Sequence, residues 1–167
     1  MAIDDDIRLF STVSLFQGLA AEHLRLLAFG SERVVLREGR DLFRVNQVAD
    51  CGFVVASGEI ELHTETPEGK QSHGRFRKGA LLGELALIAS GRRPTNASAA
   101  TEAEVIRVSR TVFLRILNEY PDVARQLHTR IAADHARSPS AASSHNALQT
   151  TITAIARDGL TDRKSVV

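Results

Sequence analysis

Gly79-Ala80-Leu81-Leu82-Gly83-Glu84-Leu85-Ala86-Leu87-Ile88 is followed, across a short polar loop, by Arg92-Arg93-Pro94-Thr95-Asn96-Ala97-Ser98-Ala99. A glycine at position 83 lets the backbone pass close to a ligand, and Glu84 to Leu87 has the composition of one helical turn. Amide protons at the start of such a turn suit a phosphate, and an arginine ten residues beyond Gly83 can return on the next strand to meet the same anion with its planar fork. Glu84 is out of place beside a phosphate unless it serves a hydroxyl. A carboxylate only accepts hydrogen bonds, so a ribose 2′-hydroxyl is its natural partner. If Arg93 is the phosphate arginine, Ala97 and Ala99 turn inward. Arg92 in that role would turn Asn96 and Ser98 inward instead, and the smaller, apolar pair favours Arg93.

Outward from this stretch, the pattern is that of a small β sandwich or barrel. Short apolar or alternating runs recur at Val34–Leu36, Leu42–Val45, Phe53–Ala56, Ile60–Thr64, Gln71–Arg77, Ala97–Ala100 and Val105–Val108, separated by turn residues. Ile60 and Leu62 alternate with Glu59, Glu61 and His63, giving that strand one dry face and one wet face. Pro67-Glu68-Gly69-Lys70 marks a hairpin turn. Helical spacing brackets the strands. Leu19, Leu24, Leu27 and Ala28 share a face ahead of them, with Gly30 as an expected left-handed stop. Behind them, Ser109 is placed to cap a helix burying Val112, Phe113, Ile116 and Leu117. Pro121 and Asp122 open another, with Val123, Leu127 and Ile131 in one stripe.

The chain has 167 residues, 43% of them apolar and 25% charged, which fits one globular domain with a tail and excludes wholesale disorder or a fibrous rod. The composition breaks at Ser138-Pro139: all seven Phe precede it, and so do ten of the eleven Gly. Residues 1–137 are therefore expected to fold, and 138–167 to form a Ser/Ala/Thr-rich tail in which only Leu148, Ile152 and Ile155 hold helical spacing. With 21 basic against 20 acidic side chains there is no broad field for nucleic acid or an anionic membrane, so an anion must be met locally. Asp4, Asp5 and Asp6 stand where a signal peptide is basic, no 18-residue apolar run follows, and the lone Cys51 reads as a small buried hydrophobe. The expected compartment is the cytoplasm.

The Gly-Glu-Leu-Ala-Leu-Ile run, the Arg93 return and the alanine-rich strand after it resemble the phosphate-binding cassette of cyclic nucleotide-binding domains. Leu15-Phe16-Gln17-Gly18-Leu19 is similar to that family's approach to its first long helix, Ala56-Ser57-Gly58-Glu59-Ile60 to its central turn, and Phe113 to Pro121 to its B helix and the start of its C helix. The likeness spans roughly Ile7 to Arg137. It implies a mainly β fold, an eight-stranded β-roll with flanking N-terminal helices and C-terminal B and C helices. It further implies a sensor or regulatory module whose effector is cyclic AMP or cyclic GMP. Glu84 would take the ribose hydroxyl and Arg93 the cyclic phosphate, aided by amides near Gly83, Glu84, Leu85 and Ala86. The last helix would respond as a lid.

The departures are specific. Pro94 stands where the family offers an amide to the ligand, and proline has none. Asn96 stands where Ser or Thr is common, leaving Thr95 as the neighbouring hydroxyl and purine contact unassigned. Asn46 replaces a common glycine in a hairpin and tolerates left-handed geometry. No metal set, nucleophile or cofactor accompanies the cassette: His63 and His73 lack the paired spacing of a metal site, and the reading is a non-enzyme. Too few apolar residues follow Arg137 for a helix-turn-helix, so DNA is not an expected partner and neither is a membrane. An effector protein and a homodimer are compatible with this reading. A roll that has lost its ligand and serves as an interaction module is the alternative.

Overall fold

The computed structural model describes residues 2–17, 19–87 and 90–126. Leu127, Ile131 and the tail expected over 138–167 lie outside the described residues, as do Gly18 and Ile88. Two helices open the chain, α1 (Ala2–Thr12) and α2 (Ala21–Phe29), joined through a 3-10 turn at Ser14–Phe16. Ten strands follow: β1 (Ser31–Leu36), β2 (Asp41–Phe43), β3 (Val48–Ala49), β4 (Cys51–Ser57), β5 (Ile60–Thr66), β6 (Gly69–Phe76), β7 (Leu81–Leu82), β8 (Gly91–Arg92), β9 (Asn96–Ala99) and β10 (Ala103–Ser109). A second 3-10 turn, Glu84–Leu87, separates β7 from β8, α3 (Arg110–Glu119) follows β10, and residues 121–126 begin another helix.

All strand pairings among the described residues are antiparallel. One sheet has the order β1-β10-β4-β7, a second β2-β9-β5-β6, and β3 pairs with β8 in a short ribbon. This is a β-roll, mainly β with flanking helices. Ten strands stand among the described residues where eight are expected, and three of them, β3, β7 and β8, are only two residues long.

Two cores follow from strand parity. In β4, Cys51, Phe53 and Val55 face the roll interior with Phe43, Ile60, Leu82, Ala97, Ala99, Ala103 and Val105. Val54, Ile106 and Val108 face the other way, onto Phe10, Phe16, Leu27, Phe113 and Leu117 of the helices. Phe10 and Phe16 meet edge-on, with ring centres 5.7 Å apart, and Phe16 lies 5.9 Å from Phe113. Each fully buried side chain of this size contributes about 1.5–3 kcal/mol, so this patch is what fastens the helices to the roll.

Several local expectations meet their physical reasons here. Ser109 caps α3, its hydroxyl accepting from the Thr111 amide, and Asn46 adopts φ +71°. The β5–β6 hairpin pairs Thr66 with Gly69 across Pro67-Glu68. Gly30 is not a left-handed stop, since its φ is −88°. It is glycine for space: a Cβ would sit 2.7 Å from the Val112 side chain, where α2 meets α3. The wet face of β5 is not solvated either. Glu61 and His63 are only 9% and 8% exposed, because Lys70 and Ser72 cover Glu61 and Ser98 bonds His63.

Candidate functional site

The site is assembled where the chain leaves one sheet and returns through the ribbon. β7 is held against β4, and Gly83 then takes φ +72°, a left-handed conformation that turns the chain into the Glu84–Leu87 turn. Leu87, fully buried beside Gly52 of β4, anchors the far end of that turn in the helical core. The Ala86 amide, expected to face an anion, closes the turn instead by donating to the Gly83 carbonyl at 3.0 Å. Leu85 contributes backbone to the same turn.

Arg93 is placed by its own backbone. Its amide donates to the Gln47 carbonyl and its carbonyl accepts from the Asn46 amide, both at 2.8 Å, so the left-handed turn at Asn46 clips the chain just past β8. Arg92 points outward and donates to the Asn46 carbonyl at 2.8 Å. Arg93 points inward and is 4% exposed. Its Nη2 donates to the Cys51 carbonyl at 2.8 Å and lies 3.4 Å from the Cys51 Sγ. Its Nη1 is buried without a hydrogen-bond partner among the described residues, and a Cβ on Gly83 would stand 2.4 Å from that atom. Glycine at 83 is therefore required twice, for the backbone and for the guanidinium.

Gly83, Glu84, Ala86, Arg93 and Pro94 all line one cavity of about 590 Å³, as does the exposed Arg92, and its other walls include Leu62, Phe76, Leu81 and Leu82. The size falls in the ~300–1,000 Å³ range of small-molecule sites, and apolar walls with a few polar groups have the composition of such sites. Thr95, half-buried, is not among the lining residues. The Asn96 side chain is turned to the β2–β3 connection, where it accepts from the Val45 amide at 2.9 Å. Ala97 and Ala99 face inward, fully buried. Burial pushes the Cys51 thiol up, partly offset by the charge of Arg93, so it behaves as the small hydrophobe expected. His63 and His73 bond separate hydroxyls, Ser98 at 3.1 Å and Thr64 at 2.9 Å.

What the sequence reading missed is the surroundings of Arg93. The Phe43 ring centre is 4.4 Å from its Cζ and that of Phe53 5.5 Å away. Strand parity marks both rings as inward, but only the pairing of β2 with β9 and of β4 with β7 brings them together.

A buried arginine with one terminal nitrogen lacking a hydrogen-bond partner among the described residues, set at a glycine turn in a walled cavity, is suited to an anion. The profile of the cyclic nucleotide-binding domain matches residues 33–120, more than half of the chain and all of this cavity's lining. The chain belongs to the cyclic nucleotide-binding domain family. A solved cyclic nucleotide-binding-like protein from Brucella abortus is 54% identical, covering 68% of this chain and 98% of that one with a TM-score of 0.63. The cyclic AMP receptor protein of Thermus thermophilus is 28% identical over 119 residues, 71% of this chain and 55% of that protein. The lysophospholipase NTE1 of Yarrowia lipolytica is 28% identical over 131 residues, 66% of this chain but 9% of the enzyme. The chain thus spans about half the length of the Thermus thermophilus receptor protein and a small part of the lysophospholipase. Among the described residues no helix is long and apolar enough to cross a membrane.

Proposed function

We propose that this chain is a cyclic nucleotide sensor, binding cyclic AMP or cyclic GMP as an effector without turning it over. The observation that carries the reading is Arg93, a buried guanidinium with one terminal nitrogen unpartnered and aimed at Gly83. A buried cation without an anion is costly, and a cyclic phosphate in the cavity would supply the missing acceptor. Glu84, half-buried on the same wall, takes the ribose hydroxyl in this reading, and the apolar walls take the base. With Ala86 spent on its turn and Pro94 lacking an amide, the phosphate rests more heavily on Arg93 than on backbone donors.

The response is carried by packing. Leu87 of the ligand-facing turn belongs to the same core as Phe113, Ile116, Val123 and Ala124. A ligand that prefers one arrangement of the turn therefore biases α3 and the helix that starts at 121, and the regulated partner is a protein engaging that end.

Calorimetric titration with cyclic AMP and cyclic GMP tests the reading. Either nucleotide should bind the native chain, with recovery of the cyclic form and no linear monophosphate. Arg93→Ala should lose about 2–5 kcal/mol of affinity. Failure of both nucleotides to bind would turn the assignment to the ligand-independent interaction module, the reading that Pro94 and the spent Ala86 amide favour.

A further inference from the structure

Arg93 carries its charge into the interior without an acid to balance it. Among the described residues no carboxylate pairs with it, and its single hydrogen-bonded anchor is the Cys51 main chain, assisted by the Cys51 sulfur. What surrounds the cation instead is aromatic. Phe43 and Phe53, each 6% exposed, stack on one another with ring centres 6.0 Å apart and planes 25° from parallel, and Cζ of Arg93 lies over both. The two rings come from different sheets, β2 and β4, so the arrangement exists only once the roll has closed.

This support differs chemically from a carboxylate. An acid beside Arg93 would stabilise the charge and also consume its N–H donors, competing with any anionic ligand. A ring face attracts the cation through its quadrupole and can stack on the guanidinium plane, leaving the in-plane N–H groups directed elsewhere. Here one edge is taken by the Cys51 carbonyl and the other, Nη1, is turned to Gly83. Resting on the phosphate role of Arg93 proposed above, we propose that Phe43, backed by Phe53, is the positioning residue of the site. It holds the guanidinium in the cavity wall by its ring face and keeps Nη1 open for the ligand's phosphate.

The test compares Phe43→Leu, which keeps an apolar side chain of similar bulk, with Phe43→Tyr, which keeps the ring. Cyclic AMP should bind Phe43→Leu about tenfold more weakly than the native chain, the range of a desolvated cation–π contact. Phe43→Tyr should stay within about twofold. Adenosine, which has no phosphate, should bind all three alike. Loss of adenosine and cyclic AMP binding together in Phe43→Leu, or no loss in either, would overturn the proposal. A second readout needs no nucleotide. The Arg93 side-chain N–H resonances, assigned with Arg93→Lys, should be ring-current shifted in the ligand-free native chain and in Phe43→Tyr, and clearly less shifted in Phe43→Leu, where only the more distant Phe53 ring remains. Absence of that shift in the native chain refutes the positioning role. A shift in a native chain that binds neither nucleotide refutes the functional reading and leaves the ring-held arginine standing.

Discussion

Gly83 is the residue on which backbone and chemistry coincide. Its φ of +72° is a conformation that costs an L-residue about 1–2 kcal/mol, and its missing Cβ is the space that Nη1 of Arg93 uses. Gly83→Ala should therefore lower stability by about that amount and also push the guanidinium off its place, weakening cyclic nucleotide binding well beyond the stability change. Gly79→Ala separates the two effects. Gly79 has φ +94°, and a Cβ there would meet only the Thr12 hydroxyl at 3.2 Å, away from the cavity lining. Urea unfolding should show similar losses for the two variants, whereas titration should show a loss of affinity in Gly83→Ala alone. Equal loss of affinity in both would mean that the turn's shape, and not the room for Arg93, is what the site needs. The glycine and the arginine were legible in sequence because their spacing is local. The rings of Phe43 and Phe53 were not, because alternation says that a side chain faces inward and is silent on which inward-facing side chains meet across sheets.

At the scale of elements, the hairpin of β5 and β6 has an unusual outer face. Glu61 is covered by Lys70 and accepts from Ser72 at 3.1 Å, with Arg75 3.7 Å away. Its carboxyl is held below the usual carboxylate range, chiefly by the hydrogen bond from Lys70, then by Ser72, against the opposing effect of burial. A carboxylate depressed in the folded state contributes stability above its unfolded value of about 4.3 and loses it as pH falls through the folded value. Glu61→Gln should thus be less stable than the native chain at pH 7, with the gap closing below about pH 4. Urea unfolding of the pair at several pH values measures it, and a gap that persists unchanged at pH 3 would place the effect in packing instead. Element by element, the long alternating runs such as β5 and β10 could be read because six or seven residues show a period. β3, β7 and β8 are two residues long and have none. They are strands only because the tertiary fold brings their partners to them. Gly30 misled for a related reason: its neighbour Val112 is 82 positions away, and no local rule reports it.

For the whole molecule, the turn after β7 straddles two cores, with Leu82 in the roll interior and Leu87 among the helices, while Arg93 adds a charge to the first. The fold would be easier to hold together without that charge. Replacing buried ionic groups by apolar side chains of similar volume is often stabilising by about 1–4 kcal/mol, and here the group has no ion-pair partner among the described residues. Arg93→Met fills similar space with a flexible apolar side chain that can lie on the Phe43 and Phe53 rings. It should raise the ligand-free unfolding free energy by about 1–4 kcal/mol while abolishing the response to nucleotide. The native chain should show the reverse: less stable alone, and gaining about 2.7 kcal/mol when cyclic nucleotide is present at a hundred times its dissociation constant. Urea unfolding of both proteins with and without cyclic AMP gives the four numbers. A ligand-free Arg93→Met less stable than the native chain would mean that the Cys51 carbonyl and the two rings already compensate the cation. The charge would then be part of what holds the roll closed, and no longer a strain kept for the ligand.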